Sequence, residues 1–332
     1  MNKKKHILYV ATHGLGDLIM SLPAIEYISD SGYELVALVR DNSQKEYLKH
    51  TSRIKYKDIL VLNYYMNLGL VYGKILLILK LFSFRFFRAI PQMNLNMKRF
   101  NFLLFFAFVK ERNLSSQVLK KALDNSPRKG KKHKVDINIE MAAKIMDSKL
   151  PRLPTPMWTS SKITSKQQKF KIALAPGSGE VESFKRWPIR NYADLSKKIM
   201  SFFPNSEIKI YGTPAESELC RNIEKLSENS ASFIDNCSVS ELYDSLKESS
   251  ICISTCNGAS HVAAHAGANV IVINGPSNLD FTGAFCDKRF EITNNFKSSS
   301  SYISEYDLWK SKSFGPVPSV DKVFETILRI LK

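Results

Sequence analysis

Ser254-Thr255-Cys256-Asn257-Gly258-Ala259-Ser260-His261-Val262-Ala263-Ala264 joins three kinds of local sequence in one short stretch. An apolar run, Ser249 to Ser254, leads into a small, polar, glycine-containing turn, and an alanine-rich helix former follows at once. That order predicts a strand–loop–helix unit with Asn257, Ser260 and His261 at the helix start. The first N–H groups of a helix lack intrahelical partners, and its N-terminus is the positive end of the dipole. The turn therefore suits an anion, most often a phosphate.

The same alternation extends on both sides. Strands are predicted at Phe170–Ala175, Glu207–Tyr211, Ser232–Asp235, Ile251–Thr255 and Val270–Ile273, with helices at Tyr192–Phe202, Pro214–Ser227, Val239–Lys247 and Ser260–Gly267. Ser319–Leu331 reads as a closing amphipathic helix. The N-terminus starts a second series: strand His6–Thr12, glycine turn His13–Asp17, helix Leu18–Ser29 and strand Glu34–Val39. Strands alternating with helices predict parallel sheets covered by helices. The first turn lacks the Gly-x-Gly-x-x-Gly spacing of a dinucleotide fingerprint. Val135–Asp147 reads as a helix, and Pro151, Pro154 and Pro156 then mark a linker. The expected organisation is an N-terminal domain over 1–155, a second domain over 165–315 and a C-terminal helix over 318–332.

The 332 residues are enough for two domains of ordinary size. The five cysteines are odd in number, and the short apolar run near the N-terminus reads as a strand rather than a secretory signal. A cytoplasmic protein with reduced thiols is expected. The net charge is +17, and residues 1–150 hold 26 Lys/Arg against 12 Asp/Glu. So lopsided an excess points to an anionic partner for the first half, nucleic acid or an acidic membrane, or to a charge offset without a specific partner. No recognisable nucleic-acid module accompanies it, so no nucleic-acid partner is expected.

Residues 59–110 contain no Asp or Glu, seven Lys/Arg and a dense supply of Leu, Ile, Phe and Tyr. If Tyr64–Arg88 is largely helical, Lys74, Arg85 and Arg88 fall within about 60° of one another, away from Leu76, Leu79, Phe82 and Phe86. An apolar helix with a basic edge suits an anionic membrane interface. A buried helix with exposed lysines fits the same pattern, and the uncharged stretch is too short for a convincing span. Residues 125–134 form a basic loop, solvated or in contact with phosphates.

Several residues could carry chemistry. Asp17 follows Gly14-Leu15-Gly16 at the end of the first strand, where parallel sheets place their ligand crevice. It fits a general base and a helix N-cap equally well. Lys185, after Pro176-Gly177-Ser178, could reach a phosphate. Trp187-Pro188 starts the next helix against the core. Glu216, beyond Tyr211-Gly212, could accept hydrogen bonds from a sugar or ribose, or favour a helix N-terminus. Cys252, Cys256, His261 and His265 lack the usual zinc-ligand spacing, and no metal is expected.

Gly14-Leu15-Gly16-Asp17 with Leu22-Pro23-Ala24, Pro176-Gly177-Ser178 with Lys185-Arg186-Trp187-Pro188, Tyr211-Gly212 with Glu216, Gly258-x-Ser260-His261-x-Ala263-Ala264 and Gly275-Pro276-Ser277 occur in this order. Together they resemble glycosyltransferase family 9, the lipopolysaccharide heptosyltransferases. The resemblance implies a GT-B architecture, α/β with two facing Rossmann-like domains built on parallel sheets. The first domain would bind the acceptor and the second a nucleotide-sugar.

The resemblance also implies metal-independent, inverting transfer without a cofactor, with the nucleotide-sugar, ADP-heptose among the candidates, as a substrate. Asp17 would take the acceptor's proton. Lys185, Ser178 and the backbone of Gly258, Ala259, Ser260 and His261 would hold the departing diphosphate, with Glu216, Cys256 and Asn257 also on the donor side. The implied acceptor is an anionic lipid-linked glycan, reached by peripheral association with the inner face of the cytoplasmic membrane. The family pattern places Asp-Ser/Thr-Gly where this chain has Cys256-Asn257-Gly258, which puts the donor sugar in question. A nucleotide-sugar binder without turnover is the alternative.

Overall fold

The computed structural model describes residues 5–51, 53–69, 71–93, 95–111, 116–121, 132–147, 158–159, 169–293 and 310–331. The chain divides into two compact units, Met1–Pro154 and Thr155–Lys332. The first contains β1 (His6–Ala11), α1 (Leu15–Ile19), α2 (Leu22–Asp30), β2 (Glu34–Val39), α3 (Asn42–Thr51), β3 (Tyr56–Val61), α4 (Leu62–Asn67), α5 (Tyr72–Phe84), β4 (Arg88–Pro91), α6 (Met97–Phe106) and α7 (Lys134–Ile145). Its strands pair in parallel in the order β3-β2-β1-β4. Central β1 is apolar from Ile7 to Ala11 because both faces of a parallel sheet are covered. Ile7, Leu8, Tyr9 and Ala11 expose no surface, and a side chain such as Ile7 or Leu8 contributes roughly 1.5–3 kcal/mol when buried this way.

Two sequence expectations change in this unit. The helix expected over Leu18–Ser29 is two helices, α1 and α2, with Pro23 in the first turn of the second. Inside a continuous helix the proline ring would clash with the preceding turn, so the helix restarts just ahead of it. The helix expected over Tyr64–Arg88 also breaks. Gly69 (φ 106°) lies between α4 and α5, and Arg85 (φ 50°) ends α5 in a left-handed conformation. Arg88 then enters β4, beside Ile7 of β1. Lys74, Arg85 and Arg88 therefore do not share one helix face. Pro91 closes β4 on the outer side of β1, a position where a missing N–H is tolerated.

The second unit contains β5 (Lys171–Ala175), a 3₁₀ turn (Glu180–Lys185), α8 (Ile189–Phe202), β6 (Glu207–Tyr211), α9 (Ser217–Leu226), β7 (Ser232–Ile234), α10 (Val239–Lys247), β8 (Ile251–Ser254), α11 (Gly258–Ala266), β9 (Asn269–Ile273), α12 (Leu279–Thr282), β10 (Arg289–Ile292) and α13 (Val320–Leu331). The parallel order is β10-β9-β8-β5-β6-β7. Its core joins Ile172, Leu174, Ile253 and Ile271 to Trp187, Leu195 and Ile199, and α13 closes the layer with Val323, Phe324 and Ile327. Trp187 donates its indole N–H to the Pro318 carbonyl at 2.9 Å, tying the start of α8 to the segment before α13.

The chain runs outward from β5 through β6 and β7, then returns to place β8, β9 and β10 on the other side. In the first unit, β2 and β3 lie on one side of β1 and β4 on the other. Loops leaving strands at such a reversal diverge and open a crevice at the strands' C-terminal ends. The basic loop at residues 125–131, the proline linker and Ser298–Ser301 lie outside the described residues.

Candidate active site

In the second unit the reversal falls between β5 and β8, and the loops leaving these strands are clasped together. Asn257 donates its side-chain N–H groups to the carbonyls of Gly177 (2.7 Å) and Ala175 (3.1 Å). Thr255 Oγ1 donates to the same Gly177 carbonyl at 3.0 Å. Asn257 also caps α11, its Oδ1 accepting from the Ser260 amide at 3.0 Å, while Ser260 Oγ donates to the Asn257 carbonyl at 2.7 Å. One side chain thus joins both loops and aligns the helix N-terminus. The amides of Gly258 and Ala259 precede the first intrahelical bond and remain donors for an anion. His261 sits one turn in, 4% exposed.

The loop after β5 is itself rigid. Ser178 Oγ donates to the Glu182 carbonyl at 2.8 Å, and Arg186 donates to the Ser178 carbonyl at 2.9 Å. Lys185 is buried at the end of the 3₁₀ turn, its Nζ 2.6 Å from Glu182 Oε2. It also acts on Cys256. Burial pushes that thiol above its ordinary range, and the Lys185 ammonium opposes the shift. The thiol therefore stays protonated near neutral pH. Where the resemblance implied a carboxylate, there is a weak donor facing the Thr282 carbonyl at 3.9 Å.

Glu216 is buried behind this loop. Its Oε2 accepts from the Thr213 amide and hydroxyl, each at 2.9 Å, in a capping box, and its Oε1 lies 4.0 Å from Arg186. A Cβ on Gly177 would come within 2.2 Å of this carboxylate, so a larger residue there would displace the Glu216 side chain. The helix-capping reading of Glu216 is the one its contacts favour. In the last turn of α11, His265 packs between Trp158 and Tyr243, ring centroids 5.0 and 5.3 Å away, and burial lowers its pKa to about 4.

In the first unit, Gly14 caps α1 in extended backbone, and Asp17 and Gly16 lie inside the helix. Asp17 is therefore not an N-cap. Its Oδ1 accepts from Lys134 Nζ at 2.8 Å, a partner that sequence reasoning saw only as the end of a basic loop. One turn along α7, Asn138 anchors the helix, donating to the Met20 carbonyl at 3.2 Å and accepting from the Met93 amide at 2.8 Å. Two buried glutamines hold the backbone of His13 just ahead. Gln44 donates to its carbonyl at 2.7 Å, and Gln92 accepts from its amide at 3.3 Å.

Lys74 and Arg85 are exposed, whereas Arg88 is half-buried, pairing with Glu111 at 2.6 Å and donating to the Ile145 carbonyl. Arg88 is thus a structural cation. The second-unit residues Ser178, Lys185, Cys256, Asn257, Gly258, Ala259, Ser260 and His261 come together at the β5–β8 reversal, with Glu216 behind them.

Residues 107–307, more than half of the chain, match the sequence model of glycosyltransferase family 9 (heptosyltransferase). The chain belongs to glycosyltransferase family 9. A search of curated protein sequences finds no match. Among solved structures, this family-9 glycosyltransferase is similar to the family 9 glycosyl transferase from Veillonella parvula DSM 2008 (15% identity, 100% of this chain and 98% of that one, TM-score 0.72). It is also similar to E. coli ADP-heptose LPS heptosyltransferase II (16%, 98% and 98%, 0.71) and to E. coli heptosyltransferase WaaC with ADP (14%, 98% and 99%, 0.69). These likenesses extend over both parallel sheets, and the fold class is GT-B.

Proposed function

We propose that this enzyme transfers a sugar, with heptose from ADP-heptose the first donor to test, to a hydroxyl of an anionic lipid-linked glycan such as a lipopolysaccharide core. Transfer proceeds with inversion, without a metal or other cofactor, at the inner face of the cytoplasmic membrane. The observation that supports the reading is the clasp of Asn257 and Thr255 on Gly177, which joins the N-terminus of α11 to the β5 loop, a loop that ends at buried Lys185. A leaving diphosphate gains negative charge as its bond to the sugar breaks. Fixed amides at Gly258 and Ala259 and the ammonium of Lys185 answer that charge without reorganisation.

In this mechanism the Asp17 carboxylate takes the proton from the acceptor hydroxyl as its oxygen attacks the anomeric carbon. The carbon–oxygen bond to the diphosphate breaks on the opposite side, and the bonding pair leaves with the nucleotide. The basic first half suits an anionic acceptor, and protonated Cys256 leaves the sugar one carboxylate acceptor fewer than the family pattern supplies.

The test is a melting-shift panel of ADP-heptose against common UDP- and GDP-sugars, followed by a transfer assay that reads the product anomer. A donor at a hundred times its Kd should stabilise the enzyme by about 2.7 kcal/mol. If no donor shifts melting, if the product retains the donor's configuration, or if a chelator removes activity that a metal restores, the reading is wrong.

A further inference from the structure

Fourteen large apolar side chains are exposed among the described residues, and ten of them lie between residues 64 and 108. Single exposed apolar residues are ordinary, but a cluster marks a contact surface. On α5 the core-facing residues are Gly73, Leu77 and Leu81, whereas Tyr72, Ile75, Leu79 and Phe82 are exposed. At 3.6 residues per turn these four span about 80°, so α5 carries a second apolar stripe directed outward. On α6, Phe100 and Leu104 are buried, and Phe102 and Phe105 are 54% and 57% exposed. Lys98 falls within about 40° of both exposed rings. Beyond α6, Phe108 meets Phe82 of α5, ring centroids 4.8 Å apart, which joins the two stripes into one face.

The charge around this face has one sign. No Asp or Glu occurs from residue 59 to 110. The acids at its two ends are already engaged, Asp58 with Lys80 at 2.9 Å and Glu111 with Arg88 at 2.6 Å. Lys98 and Arg99 are exposed beside the apolar side chains of α6, and Lys74 is exposed on α5 at the flank of its stripe. A second copy of this chain would set these cations against themselves, because a two-fold contact repeats the same patch and the segment offers no acid to meet them. Anionic headgroups supply the missing charge, and the boundary below them accepts aromatic and aliphatic side chains. No helix among the described residues is long and apolar enough to cross a membrane, so the contact is a surface one.

We propose that the exposed face of α5 and α6 docks on an anionic bilayer, inserting Ile75, Leu79, Phe102 and Phe105 while Lys74, Lys98 and Arg99 meet lipid phosphates. The proposal stands on this surface alone. The lipid-linked acceptor explains its use, and vesicles without any glycan test it apart from transfer.

The full chain is sedimented with vesicles of phosphatidylcholine alone and with vesicles containing about 30% phosphatidylglycerol, near the anionic content of a cytoplasmic leaflet. The expected result is binding to the anionic vesicles and little to the neutral ones. Lys98→Gln with Arg99→Gln should weaken it about fivefold per charge. Phe102→Ser with Phe105→Ser should weaken it tenfold or more, while a far-UV and melting check shows the fold retained, since both rings are more than half exposed and pack on Phe106. Phe105→Trp should gain fluorescence that brominated phosphatidylglycerol quenches. Equal binding by the double serine variant overturns the proposal, as does failure of the parent to bind anionic vesicles. A dimer that Phe102→Ser with Phe105→Ser dissolves, in a chain that ignores vesicles, overturns it in favour of self-association.

Discussion

Lys134 Nζ lies 2.8 Å from Asp17 Oδ1, a contact between residues 117 positions apart. It ties the α1 carboxylate to the first turn of α7 through one of its two oxygens. The base proposed for the acceptor is thus aimed by a cation on a helix that Asn138 anchors to the Met20 and Met93 backbone.

Asp17→Asn removes the proton acceptor while preserving shape, and turnover should fall by a factor of about 10³ or more with melting intact. Lys134→Met should lower kcat about 10- to 100-fold, because a misaimed carboxylate loses the near-attack geometry, with donor melting shifts retained. Full activity in Lys134→Met would show that the pair is only structural.

Lys185→Met should cut kcat about 10²- to 10³-fold and weaken nucleoside diphosphate binding, as expected for a buried cation facing the leaving group. Cys256→Asp places the family's carboxylate beside that cation. The ratio of kcat/KM among donor sugars should change about tenfold or more. A constant ratio would remove residue 256 from sugar selection.

Asn257→Ala loses an N-cap and both bonds that hold the β5 loop. Stability should drop by about 2 kcal/mol in denaturant titration. The donor KM should rise in parallel, since the Gly258 and Ala259 amides lose their alignment. A drop in stability with unchanged KM would separate the clasp from donor binding.

His265 is neutral in the folded protein, with its pKa lowered by burial from 6.5 to about 4. The unfolded chain binds the proton first, so the stabilising contribution is complete above pH 6.5 and is lost as pH falls through the window towards 4. The full loss is on the order of 3 kcal/mol. Melting should therefore decline more steeply between pH 6.5 and 4.5 in the parent than in His265→Phe. Parallel curves would exclude His265 as the cause.

The β5–β8 site is legible in sequence because its strand ends, glycines and helix caps are local features with residue-type signatures. Asn257 before an alanine-rich run announces its own capping role. Residues 59–110 are not legible in the same way. Without acids, apolar residues crowd both the buried and the exposed sides of α5, and the periodicity that separates them is lost. Arg85 ends α5 with a left-handed backbone that nothing about an arginine foretells. β4, only four residues long with an arginine and a proline, has no strand pattern. Lys134 could be read as charge but not as a partner of Asp17, since that contact depends on how α7 packs.

The Gly177 carbonyl receives donors from Thr255 and Asn257, residues 78 and 80 positions later. During synthesis β5 emerges long before β8, and β6 covers only one of its edges. The other edge stays open until residues 251–254 have left the ribosome, and with it the loop that receives the donor. The second unit therefore passes through a stage with an unpaired central strand that is apolar from Ile172 to Ala175, the kind of edge on which nascent chains aggregate. The clasp that forms on that edge also completes the proposed diphosphate cradle. In this enzyme, binding competence and the end of its exposure to misfolding arrive together.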